Sequence, residues 1–299
     1  MFDVLVVGGS YAGLSAAMQL ARARRSVCAV DVGLPRNRFA AASHGFFGQD
    51  GVSPQQMIED ARNKLLAYPT VTFLRDTVQS AERVEDLFQV TLASGATAQA
   101  RKLICAFGLK DEMVPIPGLS ERWGHSVLHC PYCHGYEFSD QLLGVLAMSP
   151  TSVHQAMLIA EWGPTTFFLN GQQLPDENTV AQLQQRNVMI EPTAVVSLEG
   201  EGKNLSEVRL ADGRVLPLTA LYFAPRTQFQ SSLPEQLGCA TDDGPFGKII
   251  RTDESKLTTV PDIYAAGDIA RVPHNATWAS ADGVTAGMAA HRSLVFNSR

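Results

Sequence analysis

A glycine-bearing turn close to residue 10 constrains the fold more than any other feature of the chain. Phe2-Asp3-Val4-Leu5-Val6-Val7 is a short apolar run, Gly8-Gly9-Ser10-Tyr11-Ala12-Gly13 follows at once, and helix formers such as Ala16, Ala17, Met18, Leu20 and Ala21 lead on to Arg25. That order predicts strand, tight turn and helix. Ser26-Val27-Cys28-Ala29-Val30-Asp31 then reads as a second buried strand closing on an acid, which completes a βαβ unit and commits the chain to a parallel, doubly wound α/β sheet. A small-residue turn between strand and helix lets backbone amides and the helix N terminus approach a pyrophosphate. The middle glycine of G-x-G-x-x-G is Ser10 here, and such turns also use glycine for geometry alone, so the loop by itself is a weak signal. Asp31 strengthens it: 18 residues after Gly13 (31 minus 13), it stands where a carboxylate meets a ribose 2′-hydroxyl and repels a 2′-phosphate. Gly8, Ser10, Tyr11, Ala12, Gly13 and Asp31 are therefore candidate cofactor-binding residues.

With 299 residues, 45% of them hydrophobic and 18% charged, the chain has the balance of a globular protein of one large domain or two medium ones. Its 24 basic and 30 acidic residues leave a net charge of -6, so no basic field attracts phosphate backbones or anionic lipid. Nucleic acid and membrane surfaces are not expected partners. Val4 to Ala21 is uncharged and as long as a spanning helix, yet it holds Gly8, Gly9, Gly13, Ser10 and Gln19, and Asp3 stands where a secretory signal has basic residues. A cytoplasmic location is expected, and five cysteines, an odd number, fit reduced intracellular thiols.

Further along, Thr70 to Cys105 breaks into short segments (71–74, 87–92 and 100–105) with a Ser94-Gly95 turn, which predicts a β-meander insert. The Met113–Gly118 stretch, Met-Val-Pro-Ile-Pro-Gly, has no periodicity and reads as a crossing between two domains. Strand 143–146, helix 152–161 and strand 165–169 form a second βαβ pattern, 208–210 and 216–218 flank an Asp212-Gly213 turn, and Ile263 to Asp268 opens a last strand-to-helix corner before a helix from Trp278 to Val295.

Cys130-Pro131-Tyr132-Cys133-His134-Gly135 is the segment most able to do chemistry. Cys-x-x-Cys-His is the attachment pattern of c-type haem, but that maturation needs export. Zinc is a stronger alternative, since His125, His129, Cys130, Cys133 and His134 lie within ten residues, although no second pair of ligands follows downstream. A structural pair leaves the spacing unexplained. A redox disulfide accounts for it: two intervening residues allow an accessible, strained bridge, and a helix N terminus or imidazole stabilises the thiolate. Cys130, Cys133 and His134 are the candidate catalytic residues, His134 as a base because imidazole exchanges protons near neutral pH, the alternative being a solvent-facing side chain. No metal is expected. Cys28, Cys105 and Cys239 read as packing residues.

Thr259 to Asp268, ending Tyr-Ala-Ala-Gly-Asp, resembles the second FAD fingerprint of the flavoproteins with two dinucleotide-binding domains. With the Cys-Pro-Tyr-Cys-His centre, the whole chain resembles the low-molecular-weight thioredoxin reductases, and the histidine after the second cysteine is similar to the branch containing the dithiol oxidases of dithiolopyrrolone and gliotoxin biosynthesis. The resemblance implies an FAD enzyme with a discontinuous FAD domain (residues 1–115 and 242–299) and an inserted, Rossmann-like domain (116–241) carrying the centre. It implies that Gly267 and Asp268 hold FAD, that Cys133 faces the flavin, that Cys130 exchanges with substrate sulfur, and that the protein is a homodimer. An NADPH-dependent member needs a second glycine-rich turn after strand 143–146 and an arginine pair after the next strand. This chain has Ala147-Met148-Ser149-Pro150-Thr151-Ser152 and Asn170-Gly171-Gln172-Gln173 there. The expectation is a thiol/disulfide oxidoreductase independent of NADPH that favours oxidation of a dithiol, with a small dithiol or a thioredoxin-like protein as substrate and O2 or another carrier as acceptor. Its rivals are a reductase of thioredoxin-like proteins driven by ferredoxin, a second flavin or weakly held NAD(P)H, and a flavin-bound sensor. Phe107 replaces the family's threonine and either closes a channel or packs at the hinge; Trp278 either stacks on a ligand or belongs to the core. His44 to Asp50 resembles the family loop that wraps the flavin.

Overall fold

The structure, a computed structural model, describes residues 1–296, and they cluster into two compact units. The first comprises Met1–Arg36, Pro54–Lys110 and the chain from Thr227 on; the second comprises Asn37–Ser53 and Asp111–Arg226.

In the first unit, β1 (Phe2–Val7), α1 (Tyr11–Arg22) and β2 (Val27–Val30) form the predicted βαβ. The uncharged run 4–21 is thus divided between a strand and a helix, and among the described residues no helix is long and apolar enough to cross a membrane. After α2 (Pro54–Leu66), β3 (Val71–Leu74) joins the far side of β2, so the parallel order runs β3, β2, β1 and then β6 (Thr97–Cys105), with strand Ile263–Ala265 also parallel to β6. Segment 71–74 therefore belongs to the parallel sheet rather than to a meander. The antiparallel part is β4 (Val78–Val84), β5 (Leu87–Leu92) and the first half of β6. Its burial explains why β4 escaped the sequence reading: only Val78 and Ala81 face inward, too few to give an alternating signal.

Successive side chains of a strand point to opposite faces, and both faces here are covered. Val4 and Val6 enter a core built with Leu14, Leu20, Leu65 and Ala286, whereas Leu5 and Val7 enter another with Phe88, Val90, Leu233 and Ile250. The C-terminal helix Ala276–Phe296 lies along α1 at very short range. Gly283 and Gly287 permit this, because a Cβ at either position would run into the backbone of Ala12 or Ala16.

The second unit is centred on a five-stranded parallel sheet in the order Met189–Glu191, Thr165–Phe168, Leu143–Leu146, Ala220–Tyr222, Val127–Leu128. A three-stranded antiparallel sheet carries the predicted Asp212-Gly213 hairpin.

The seams differ from the expected 115/116 and 241/242, falling at Lys110/Asp111 and Arg226/Thr227. The physical reason lies in residues 227–241. Strand Thr227–Phe229 pairs with Leu109–Asp111, Phe229 packs edge-on to Phe107 at 6.2 Å, and Leu233 and Cys239 enter the core of the first unit. Phe107 is thus a packing residue of the connection. Segment Asn37–Ser53 clusters with the second unit, where Phe39 covers Gly124 so closely that a Cβ there would lie 2.6 Å from it.

Candidate active site

The glycine turn is built so that only glycine fits at its ends. Gly8 has φ +108°, and a Cβ on it would strike the carbonyl of Ala106; a Cβ on Gly13 would strike the carbonyl of Gly8. Ser10, at φ −103°, has an extended backbone that tolerates a side chain, which is why the motif survives without its middle glycine. Ser10 is the N-cap of α1 yet makes no side-chain cap, and no acidic residue occupies the first turn, so the end of this 12-residue helix suits an anion. Asp31 accepts hydrogen bonds from the backbone N–H of Gly9 (2.9 Å) and Gly33 (2.7 Å), so it fixes the loop and keeps lone pairs on both oxygens for a hydroxyl. Tyr11 directs its hydroxyl to Met57 Sδ at 3.8 Å, so its side chain serves the contact with α2. Ala12 is buried beneath Gly283.

At the other corner, Gly267 takes φ +81° and Asp268 begins a short 3₁₀ turn; the C-terminal helix starts only at Ala276, after a cis Val272-Pro273 bond. Asp268 does not cap that helix. Its Oδ2 accepts from Arg36 Nη1 at 3.0 Å, and the same nitrogen lies 2.8 Å from His274 Nδ1. Trp278 is partly exposed, with the Arg271 guanidinium 5.0 Å from its ring. These glycines, the uncapped helix end and the two placed carboxylates fit a dinucleotide.

The loop of the second unit is engaged differently. The hydroxyl of Ser152, fully buried at 0% exposure, accepts from the backbone N–H of Met148 (3.0 Å) and of Ser149 (3.2 Å). Those amides lie in the turn that follows strand Leu143–Leu146, and the chain's own side chain takes them. Gln172 donates to the carbonyl of Ala147 at 2.7 Å, closing the end of strand Leu143–Leu146.

The Cys-Pro-Tyr-Cys-His turn is held by its own unit. Cys130 is the N-cap of the single-turn α3 (Pro131–His134), with Pro131 in the first helical position. Gln155 donates to the carbonyl of His129 at 3.0 Å, Tyr132 stands edge-on to Trp162 at 5.7 Å, and the buried Tyr222 directs its hydroxyl to the carbonyl of His134 at 3.5 Å. Gly135 is needed because a Cβ would lie 2.7 Å from Trp162 Nε1. Sequence reasoning missed Gln155, Trp162 and Tyr222; a hydroxyl inside the apolar run 221–224 was the one available hint. Among the described residues no group of three or more His, Cys, Asp and Glu side chains forms a metal cage.

Cys130 and Cys133 are free thiols with sulfurs 2.7 Å apart. The Cys133 thiol donates to Cys130, and the backbone N–H groups of Cys133 and Tyr132 add to this; together they hold the Cys130 thiol below its ordinary pKa against the opposing effect of burial. The same hydrogen bond, with burial, pushes Cys133 up. Cys130 is thus the more acidic sulfur of the pair and Cys133 its hydrogen-bond donor. Burial lowers the pKa of His134, partly offset by Glu137, and His44 lowers it further, so the ring is neutral at neutral pH and able to accept a proton. Burial raises the other three thiols, Cys28 to about 11. They are packing residues.

The pyridine nucleotide-disulphide oxidoreductase family matches residues 2–283. The thioredoxin reductases sirT of Leptosphaeria maculans and tcpT of Claviceps purpurea (strain 20.1) are each 30% identical to this chain, over 96% and 98% of it and 92% and 94% of their own lengths. A solved oxidoreductase from Agrobacterium tumefaciens superposes with a TM-score of 0.95 at 45% identity, covering 99% of both chains. The solved structure of HlmI gives 0.92 at 38%, covering 98% of this chain and 92% of that one. The chain belongs to the pyridine nucleotide-disulphide oxidoreductase family. Within it, the chain is a thioredoxin reductase-like flavoenzyme, an FAD-dependent disulfide oxidoreductase with two Rossmann-type domains.

Proposed function

We propose that this enzyme oxidises a small dithiol to its disulfide through Cys130 and Cys133, with O2 as final acceptor and no nicotinamide cofactor. The observation that carries the reading is Ser152: its buried hydroxyl already satisfies the loop amides of Met148 and Ser149, on which a dinucleotide phosphate would depend. Without a nicotinamide as electron source, the electrons come from the thiol substrate.

The first unit would hold FAD through Gly8, Ser10, the backbone of Tyr11 and Ala12, Gly13, Asp31, Gly267 and Asp268. When bound, FAD supplies a two-electron carrier between the cysteine pair and dioxygen. The residues of the chain do the sulfur chemistry. His134 takes the proton of a substrate thiol, and the resulting thiolate attacks Cys130 of the oxidised pair. The Cys130–Cys133 bond breaks, and Cys133, the poorer leaving group, receives the proton from His134. The second substrate thiol gives its proton to His134, neutral again after protonating Cys133, and attacks the mixed disulfide, expelling Cys130 as the thiolate that its hydrogen bonds stabilise. The net reaction converts a dithiol and O2 into a disulfide and hydrogen peroxide.

The names of sirT and tcpT, both thioredoxin reductases, favour the opposite direction, reduction of a thioredoxin-like protein. An oxygen electrode separates the two. Dithiothreitol and air should give one hydrogen peroxide for each O2 consumed, at a rate saturating in dithiol. Failure to consume O2, combined with disulfide reduction in the presence of reduced ferredoxin, would reverse the assignment.

A further inference from the structure

The redox turn carries acid–base groups that the sulfur chemistry above leaves unused. Glu137 follows His134 by three residues in the continuing 3₁₀ turn Tyr136–Phe138, a spacing that sets both on one side of the turn. His44, from the segment that clusters in the same unit, presents Nε2 3.4 Å from Glu137 Oε1 and Nδ1 3.6 Å from Asp50 Oδ1. Asp50 is itself anchored, accepting from the backbone N–H of Gly45 at 2.8 Å. Each ring nitrogen of His44 thus faces a carboxylate. Side-chain exposure rises along the series: 26% for His44, 40% for Glu137 and 72% for Asp50, while His134 is half-buried.

We propose that Glu137 and His44 are positioning residues for the redox centre: the carboxylate of Glu137, tethered by the His44 ring, orients His134 and opens a polar route to Asp50 along which protons from thiol oxidation reach water. The inference rests on the thiol oxidation proposed above. Each dithiol converted to a disulfide gives up two electrons, which leave through the cysteine pair, and two protons, the first passed by His134 to Cys133 and the second left on His134 in a half-buried turn. His134 cannot accept from the next dithiol until that second proton has gone. Only N–H and O–H bonds are made and broken along the route, and the proton passes to water, which returns an equal number when hydrogen peroxide forms.

The other titratable groups facing His134 do not compete. Cys130 and Cys133 are the reacting sulfurs, and burial keeps the Tyr222 hydroxyl protonated. Glu137 favours the protonated form of His134, whereas His44 disfavours it. The two partners therefore have opposite signatures, which a purely structural role for the loop would not produce.

The test uses flavin-loaded protein as parent, Glu137→Gln and His44→Gln. The His134 ring is titrated by NMR in the dithiol state, and anaerobic flavin bleaching by dithiothreitol is followed across pH. Glu137→Gln should move the His134 titration to lower pH and His44→Gln to higher pH. Both should slow bleaching at neutral pH by about tenfold without changing the dithiol concentration at half-saturation. Unmoved His134 titrations in both variants, or bleaching profiles superimposable on the parent, overturn the proposal. A parent that dithiothreitol does not bleach refutes the proposed oxidation instead, and the NMR titration then judges the Glu137–His44 assignment alone.

Discussion

Replacing Cys130 by alanine is expected to lower dithiol-driven turnover by more than about a thousandfold, the scale on which a residue that bonds covalently to substrate is lost. The matching Cys133→Ala change abolishes turnover too, but it leaves a single thiol whose behaviour is informative. In the native pair the Cys133 thiol donates to Cys130 and is the largest cause of the low Cys130 pKa. Removing that donor leaves only the backbone N–H groups of the turn and the opposing burial. The Cys130 pKa therefore rises, and the pH at which iodoacetamide labels it moves up. In the reduced parent, label should enter Cys130 below the pH of an ordinary thiol, while the buried Cys28, Cys105 and Cys239 stay unmodified until the protein unfolds. Mass spectrometry of labelled peptides reads both. Preferential labelling of Cys133 would exchange the two roles.

The second large effect belongs to Gly13. A Cβ there meets the carbonyl oxygen of Gly8, a backbone atom of the same turn that cannot swing aside as a flexible side chain would. Gly13→Ala should displace the strand–helix corner, cost about 2–4 kcal/mol and yield protein with little bound flavin. Urea unfolding and the flavin-to-protein absorbance ratio of the purified variant check this. A fully yellow variant of parental stability would remove the corner from the cofactor site.

What was legible beforehand follows from the range of the interaction. The first βαβ, the Asp212-Gly213 hairpin and the cysteine turn lie within short windows, and their residues carry local constraints: apolar runs, helix formers, glycine and proline. Cys28 and Cys105 sit in such runs and are buried as expected. Long-range partners leave no such trace. Arg36 reaches Asp268 across 232 positions, Gln155 holds the backbone before Cys130 from 26 positions away, and Ser152 looks like an ordinary helix-start residue until its hydroxyl is seen on two loop amides. The domain seam at 226/227 was hidden for a related reason. Residues 227–241 carry no composition shift, and it is long-range contacts, the pairing of Thr227–Phe229 with Leu109–Asp111 and the burial of Leu233 and Cys239 in one core with Val78 and Ala81, that assign them to the first unit.

The proposal of no nicotinamide cofactor rests on the turn 147–152, which lacks glycine and whose Met148 and Ser149 amides donate to the buried Ser152 hydroxyl. A loop with free amides and bulky side chains still holds phosphate weakly; a loop whose amides are bonded to a buried hydroxyl must first break those bonds, at about 1–3 kcal/mol for each buried group left unsatisfied.

The most direct measurement is an anaerobic titration of the flavin-loaded enzyme, following the visible flavin band while a dithiol is added to one sample and NADPH to another. The account predicts bleaching by the dithiol, recovery of the band on admitting air, and no change with NADPH. Rapid bleaching by NADPH with none by the dithiol would contradict it and make the enzyme a nicotinamide-driven reductase.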